Sequence, residues 1–309
     1  SAMKTNANNS ESQVFKYIPR TIQRGKHWRH PAIEDYTCDD FLTKKDEIVL
    51  ISGKTGGGKT TLLKEFHEML VEKFPTFYIS FVSLKSMQKE LSEELSYDFV
   101  CEMIKLLKLD AENAKIFTEK YKKGEVKILF DEFDQIPLNC KEKFLKILHL
   151  YHDFEFQYKN QLFINTRQDV TTRLVSNRYI LKPLEPHEQI KFLTEFWAEN
   201  NPNLDLKLIK HCAKLLVEKI STLSKFIGEP LILQGLAEFF KNQINKKFSA
   251  KVKNLNILKV FECILETNFV KNFEYHAICD LFGDEVALKL GLSHDVSINC
   301  LKFGSFNEN

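Results

Sequence analysis

Glycine and arginine are scarce in this sequence, and long apolar runs are absent from it. Only 11 of the 309 residues are glycine, so a local cluster of glycines stands out against the rest of the chain. No apolar run approaches the roughly 18 residues that a membrane span requires, and the first residues printed do not have the pattern expected of a signal peptide. With 43% hydrophobic and 28% charged residues, a globular cytoplasmic protein without a membrane partner is expected.

The seven cysteines are dispersed, and none of them forms C-x-x-C or another metal-binding spacing. An odd, scattered set of thiols is typical of reduced cysteines in the cytoplasm. The net charge of +2 provides no general electrostatic attraction for DNA or RNA. Composition therefore does not indicate a nucleic-acid partner.

Arginine is confined to two parts of the chain. A guanidinium is a rigid, always charged fork that suits phosphate, whereas lysine serves elsewhere on the surface. This distribution suggests phosphate binding near the two groups of arginines. They are Arg20, Arg24 and Arg29, and then Arg167, Arg173 and Arg178.

A glycine-rich motif, residues 53–60, has the spacing G-x-x-x-x-G-K-[ST]. An apolar run precedes it and apolar residues at helical spacing follow it, so the context is strand, turn and helix. The turn's N–H groups and the helix N-terminus attract phosphate; Lys59 would reach the β and γ phosphates, and the Thr60 hydroxyl would bind Mg²⁺. The predicted nucleotide-binding residues here are Gly53, Lys54, Thr55, Gly56, Gly57, Gly58, Lys59, Thr60 and Thr61.

The predicted strand 126–131 ends in an acidic segment that contains Asp131, Glu132 and Asp134. A phosphate loop needs a carboxylate at the end of a neighbouring strand, to hold Mg²⁺ and to orient the attacking water. Asp131 is the predicted Mg²⁺ ligand, together with Thr60. Glu132 and Asp134 both remain candidates for the residue that positions the water, so all three carboxylates are candidate catalytic residues.

The next predicted strand, 161–166, is followed by Arg167. In P-loop ATPases with an extra strand between the phosphate loop and the acidic strand, this position senses the γ-phosphate. Arg167 is therefore a predicted phosphate sensor.

Strands and helices alternate up to about residue 183, and only helices are predicted beyond it. The alternation predicts an α/β fold, a three-layer parallel-sheet P-loop NTPase domain of the ASCE type (with the extra strand), followed by a small all-helical domain. Helical patches are predicted near 33–43, and the lysine-rich stretch 241–253 is interpreted as a solvated loop. The predicted organisation is 1–16 as a tag and disordered or linker segment, 17–183 as the nucleotide-binding domain, 184–275 as the helical domain, and 276–309 as a helical tail or the start of a further domain.

Together these motifs resemble the NACHT branch of the STAND nucleotide-switch ATPases. The resemblance covers about residues 17 to 275 and rests on the phosphate loop, on 129–135 as an extended acidic motif and on 163–167 as a sensor segment ending in Thr-Arg. Two weaker matches imply further nucleotide contacts. Pro230 lies in a G-x-P turn that the family packs near adenine, and Arg20 lies in a segment that the family closes over the base.

The resemblance implies a switch more than a fast enzyme. It implies ATP/ADP and Mg²⁺ as cofactors, slow ATP hydrolysis, an ADP-closed to ATP-open transition and a homo-oligomer in the ATP state. It further implies a cytoplasmic, innate-immunity-like signalling protein whose effector and sensor domains are not recognisable in this chain.

Two departures from the family pattern bear on hydrolysis. Glu132 stands where the family usually has a small residue, and Gln135 stands where it usually has glutamate. Both put the rate of hydrolysis in question more than nucleotide binding. The family's winged-helix domain, with its phosphate-contacting histidine, is not expected in full after residue 277, and His276 is not assigned that role.

Other functions find less support in the sequence. Residues 43–46 match the guanine-reading pattern [NT]-K-x-D, but they precede the phosphate loop instead of following it. The H-x-x-H of residues 27–30 has no further metal ligands nearby. Two alternatives remain open, a scaffold that binds nucleotide without turnover and a nucleic-acid-remodelling P-loop ATPase.

Overall fold

The computed structural model describes residues 20–24, 35–37, 48–54, 56–152, 159–167, 177–223, 228–257, 259–260 and 263. Seven strands within these ranges form one sheet. They are β1 (Ile22–Arg24), β2 (Asp35–Tyr36), β3 (Ile48–Ser52), β4 (Tyr78–Ser83), β5 (Val126–Asp131), β6 (Gln161–Thr166) and β7 (Asn177–Leu181).

The order of strands across the sheet is β2-β1-β7-β3-β6-β5-β4. Strands β7, β3, β6, β5 and β4 pair in parallel. Strand β6 lies between β3, which leads into the phosphate loop, and β5, which carries Asp131. The predicted parallel α/β sheet of a P-loop NTPase, with its extra strand, is thereby confirmed.

Two short antiparallel strands extend one edge of this sheet. Strand β1 pairs with β7 and β2, and the buried Ile22 lies opposite Leu181 and Tyr36. The helical prediction near 33–43 is therefore wrong at residues 35–36. Runs of two or three residues are too short to show the period-two alternation by which a strand is recognised.

Eight α-helices that lie wholly in the described ranges accompany the sheet. The predicted helical half is confirmed in its main elements, but the stretch 241–253 contains a helix instead of only a loop. The helices are α1 (Lys59–Lys73), α2 (Phe99–Leu106), α3 (Ala111–Lys122), α4 (Leu138–Leu150), α5 (Pro186–Asn200), α6 (Leu206–Ser221), α7 (Pro230–Phe240) and α8 (Phe248–Lys253).

Local sequence explains where several helices begin. Asp98 and Asp110 cap α2 and α3, accepting hydrogen bonds from the first-turn N–H groups at 2.7 and 2.8 Å. Helix α5 has a capping box between Glu185 and Glu188, with Pro186 in its first turn. Such caps fix the residue at which each helix begins.

The alternating faces of β5 show how the three layers form. Ile128 and Phe130 point into a core shared with α2, α3 and α4, whereas Leu129 points into a core shared with α1. Strand β5 is buried along its whole length, as expected for a parallel strand covered on both faces. Because helices cover both faces of the sheet, a site can form at the carboxyl ends of these strands.

The helices after β7 share a separate core. Trp197 in α5 is fully buried and donates its indole N–H to Ala237 O in α7 at 2.8 Å. Phe248 of α8 packs edge-on against Trp197, with 5.7 Å between ring centroids. This packing is the reason that the basic stretch 241–253 folds back as a helix. The domain boundaries at 16, 183 and 275 stay predictions, and 276–309 lies outside the described residues.

No helix in the described part of the chain is both long and apolar enough to cross a membrane. The four cysteines within that part, Cys101, Cys140, Cys212 and Cys263, are free thiols.

Candidate functional site

A cavity of about 230 Å³ lies where the carboxyl ends of β5 and β6 face the phosphate loop and the start of α1. One wall comes from α7. The lining combines backbone of the loop, three carboxylates, two cations and an apolar patch. The lining residues are Gly56, Gly57, Gly58, Lys59, Thr60, Thr61, Asp131, Glu132, Asp134, Gln135, Asn165, Arg167, Pro230, Leu231 and Gln234.

The phosphate loop requires glycine at its tightest points. Gly58, which directly precedes α1, has φ of 85°, and Gly56 has φ of 73°. A Cβ on Gly58 would lie 2.9 Å from the Arg20 guanidinium. Both the left-handed backbone and the close approach of a side chain therefore exclude larger residues. Thr55 lies outside the described residues.

Lys59 is the cation at the centre of the loop. Its Nζ donates to Gly53 O and Lys54 O, each at 2.8 Å. The pKa of Lys59 is lowered to about 8, first by burial and second by the nearby charge of Arg167. Asp134 and Asp131 oppose this shift without cancelling it.

Arg167 brings a second positive charge to the same cavity. Within the described ranges its guanidinium makes no hydrogen bond or ion pair, although its backbone N–H donates to Asp134 Oδ2. Two like charges that converge on one cavity repel each other unless an anion lies between them. The arrangement suits a phosphate group.

Asp131 is buried at the end of β5, with 4% of its surface exposed. Its Oδ1 accepts Asn165 Nδ2 at 2.7 Å and Glu132 N–H at 2.9 Å, which orients the carboxylate. Thr60 is exposed in the first turn of α1. A carboxylate and a hydroxyl are the hard oxygen donors that Mg²⁺ prefers.

The described residues contain no group of three or more His, Cys, Asp or Glu that could hold a metal by itself. A Mg²⁺ ion at Thr60 and Asp131 would therefore need phosphate and water oxygens to complete its coordination.

The two remaining carboxylates differ in their surroundings. Asp134 has both oxygens occupied, because Thr166 Oγ1 donates to Oδ1 at 2.8 Å and Arg167 N–H donates to Oδ2. Glu132 adopts a left-handed backbone with φ of 63°, and its Oε2 accepts a hydrogen bond from Ser83 Oγ. Its Oε1 has no partner among the described residues. Asp134 thus holds the end of β6, whereas Oε1 of Glu132 can still accept a hydrogen bond.

Helix α7 supplies the wall opposite the sheet. Pro230 and Leu231 provide apolar surface, and the Gln234 side chain makes no hydrogen bond in the part of the chain that the structure describes. Beside them Glu229 is 4% exposed, and burial raises the pKa of its carboxyl group. Its Oε1 lies 3.9 Å from Lys54 Nζ.

Arg20 contacts the loop's backbone and does not line the cavity. It donates to Gly57 O at 2.8 Å and to Lys182 O. A direct contact between Arg20 and a nucleotide stays a prediction. The neighbouring residues 17–19, the guanine-like segment 43–46 and the H-x-x-H of 27–30 lie outside the described residues.

Sequence reasoning brought most of the lining residues together but missed four side chains. Asn165 and Ser83 are the polar residues that orient Asp131 and Glu132. Glu229 and Gln234 reach the loop region from α7. Asn165 and Ser83 had a signal, since both come at the carboxyl ends of predicted strands, and Glu229 is the middle residue of the G-x-P turn.

Comparisons with known proteins show only a distant likeness to solved structures. No protein-family model matches it, and no curated protein matches it. Among solved structures, domain III of the replication initiation protein DnaA from Thermotoga maritima is 14% identical, with a TM-score of 0.41, covering 74% of this chain and 87% of that one.

Two further solved structures are similar to the same degree. A RuvB mutant from Thermotoga maritima is 13% identical with a TM-score of 0.43, covering 81% of this chain and 76% of that one. ORC2 from Aeropyrum pernix, in ADPNP–ADP complexes, is 13% identical with a TM-score of 0.42, covering 70% and 64%. Likeness at this level carries no argument about activity, and the NACHT resemblance stays a prediction. The fold class rests on the strand order and the phosphate loop of this chain.

Proposed function

We propose that this chain binds ATP and ADP with Mg²⁺ in the cavity described above and hydrolyses ATP slowly. One observation carries the proposal: Lys59 and Arg167 converge on a cavity formed by a phosphate loop, with Asp131 opposite them. Lys59 and the loop N–H groups would hold the β-phosphate region, and Arg167 would read the γ-phosphate.

The residues present fit Mg²⁺, which would be held by Thr60 and Asp131. When bound, the ion would neutralise negative charge on the phosphate. Asn165 keeps the Asp131 carboxylate oriented for that task.

Glu132 is the proposed residue that positions the attacking water. It has a free carboxylate oxygen, whereas both oxygens of Asp134 hold the end of β6. Asp134 is accordingly a positioning residue for Arg167. The hydrogen bond from Ser83 holds Glu132 in one orientation. Slow turnover is what the family resemblance implies.

The position of α7 supports a switch. Pro230, Leu231 and Gln234 line the same cavity as the loop, so that a nucleotide would contact both parts of the chain. Nucleotide state would then bias how the helical part sits on the sheet. By the family resemblance, the ATP state would promote self-assembly of a larger cytoplasmic signalling protein, of the innate-immunity type, whose effector and sensor domains lie outside this chain.

The test is a binding measurement with one matched pair of variants. Mass analysis of denatured protein identifies any nucleotide that co-purifies, and calorimetry gives the affinity for ADP and ATP with Mg²⁺. Lys59→Ala should weaken both at least about hundredfold, because it removes charge-assisted hydrogen bonds to phosphate. Lys64→Ala, on the exposed side of the same helix, should leave them unchanged.

Three results would change the proposal. Equal affinities in the wild type and Lys59→Ala would refute nucleotide binding at this loop. Tight ADP binding with no turnover would favour a scaffold without hydrolysis. Stimulation of turnover by DNA or RNA, lost with added salt, would favour a nucleic-acid-remodelling ATPase.

A further inference from the structure

Two carbonyl groups of the phosphate loop are held by segments far away in the sequence. Arg20 Nη1 donates to Gly57 O at 2.8 Å. The N–H of Leu231, in the first turn of α7, donates to Gly56 O at 3.2 Å. The loop is therefore held both by the segment before β1 and by the helical half.

A third segment, residues 182–184 between β7 and α5, connects these two contacts. Arg20 also donates to Lys182 O, and Leu184 N–H donates to Gly228 O at 2.9 Å. Gly228 has φ of 71°, and a Cβ there would lie 2.5 Å from the nearest side-chain carbon of 182–184. Only glycine allows this backbone contact.

These contacts close a ring. It runs from the loop (56–57) to Arg20, on to 182–184, then through 228–231 and back to the loop. Arg20 is only 7% exposed, so the loss of either carbonyl would leave part of a buried guanidinium unpaired, which is costly. Glu229, which is 4% exposed, directly precedes Pro230; burial raises the pKa of its carboxyl group, and the charges of Lys54 and Arg20 oppose that shift. The ring therefore favours one arrangement of its parts.

We infer that Arg20 is a positioning residue that couples the phosphate loop to helix α7 through this ring of hydrogen bonds. Carbonyls that are held outward leave the loop's N–H groups free to face a phosphate. A phosphate that tightens the loop then strengthens the contacts at Gly56 and Gly57, and the ring transmits this restraint to 228–231. The inference rests on the proposed function, because it names how nucleotide binding is passed to the helical half.

Hydrogen exchange on the full chain, with and without saturating ADP and Mg²⁺, tests the coupling. In the wild type, ADP should slow exchange about tenfold or more both in the loop and in α7. Arg20→Met should keep the slowing in the loop, measured at ADP concentrations that saturate this variant, and should reduce it in α7. Part of the slowing in α7 should remain, because Leu231 still contacts the loop and the cavity lining of α7 still contacts ADP. Lys64→Met, which removes an exposed charge from α1, should behave as the wild type.

The outcomes separate the inference from the function on which it rests. No slowing in the wild-type loop would refute the proposed function, and the coupling with it. Equal slowing of α7 in the wild type and Arg20→Met would overturn the coupling alone.

A second measurement needs no nucleotide. In free Arg20→Met the Leu231 amide should exchange faster than in the wild type, and an unchanged rate would count against the ring. If Arg20→Met does not fold, Arg20→Lys replaces it, because an ammonium lacks the rigid fork that spans two carbonyls. Wild-type exchange at Leu231 and in α7 of that variant would overturn the inference.

Discussion

The two ends of the sheet each hold a lysine whose pKa is lowered to about 8. Lys59 lies at the carboxyl end, in the cavity. Lys127 lies at the amino end of β5 and is 6% exposed. Burial is the leading cause at both places, but only Lys59 is lowered further by a neighbouring cation, Arg167.

The ammonium group of Lys127 has its interaction partners within the fold. Its Nζ lies 4.7 Å from the ring centroid of Phe74 and 5.6 Å from that of Phe77, and it donates to Gln161 Oε1. Beside it Asn160, fully buried, accepts from Val126 N–H at 3.0 Å. Faces of aromatic rings and an amide oxygen satisfy the ammonium without any ligand.

The surroundings of Lys59, in contrast, leave positive charge facing an open cavity. Here two cations face a cavity, and the guanidinium of Arg167 has no partner in the described ranges. A lowered lysine pKa therefore does not by itself mark a functional site. A second convergent charge and an open volume distinguish the site from the structural cluster.

The largest expected effect is on turnover at the carboxyl end. Glu132→Gln should lower the ATP hydrolysis rate about hundredfold or more, because it removes the carboxylate that positions water. ATP affinity should stay within about threefold, since Gln keeps the shape and can still accept from Ser83. Single-turnover rates and calorimetry measure the two quantities.

Asp134→Asn is the control for that variant. It should weaken ATP binding, because Arg167 loses a contact that positions it. It should slow the hydrolysis of bound ATP by a smaller factor. If instead Asp134→Asn abolishes hydrolysis and Glu132→Gln leaves it intact, the assignment of the two carboxylates is reversed.

Arg167→Met and Lys127→Met form a matched pair that removes one cation from each end of the sheet, so that their effects on nucleotide affinity can be compared. Arg167→Met should weaken ATP binding about thirtyfold and ADP binding by much less, because the charge-assisted contact is made to the γ-phosphate. Lys127→Met should alter neither affinity. A loss for ATP and ADP alike in Arg167→Met would mean that this residue does not read the γ-phosphate.

The pH dependence of ADP binding should depend on Lys59 and not on Lys127. In the free protein the pKa of Lys59 is about 8, and a bound phosphate raises it, so that binding takes up a proton between the two values. Affinity for ADP should fall about tenfold from about pH 7 to about pH 9. Calorimetry in buffers of different ionisation enthalpy counts the protons, and Lys127→Met should show the same dependence as the wild type.

The smallest expected effect concerns stability. The folded-state pKa of Lys127 is about 8, below its ordinary value of 10.5. The charged lysine therefore costs stability in full below about pH 8, and the cost disappears as the pH rises toward the ordinary value. Between about pH 7 and about pH 9 the wild type should gain about 1 kcal/mol relative to Lys127→Met. Urea unfolding at both pH values measures this difference, and parallel curves would contradict it.

Local patterns predicted the parts of the site that lie next to a strand end. The phosphate loop, Asp131 and Arg167 each lie at or just after the carboxyl end of a predicted strand, and parallel strands bring such ends to one edge of the sheet. Which of Glu132 and Asp134 would position water could not be read from spacing. That distinction depends on Ser83, Thr166 and Arg167, whose contacts cross between strands.

Short or isolated elements escaped prediction for a different reason. Strands β1 and β2 are too short for their periodicity to be visible. Helix α8 is hidden in a lysine-rich stretch, where Phe248 and Val252 are the buried residues that hold it against the helical core. Tertiary packing, more than local preference, decides such elements.

The sequence by itself determined the conformation of the phosphate loop. A few glycines and the helix that follows them dictate the backbone geometry on which its function depends. Its neighbours were decided only by the tertiary structure. Arg20 and Leu231 are separated from Gly56 and Gly57 by long stretches of chain, yet they hold the loop's carbonyls. Hydrogen bonds between distant segments have no periodic signature in sequence, since chain folding alone brings their donors and acceptors together.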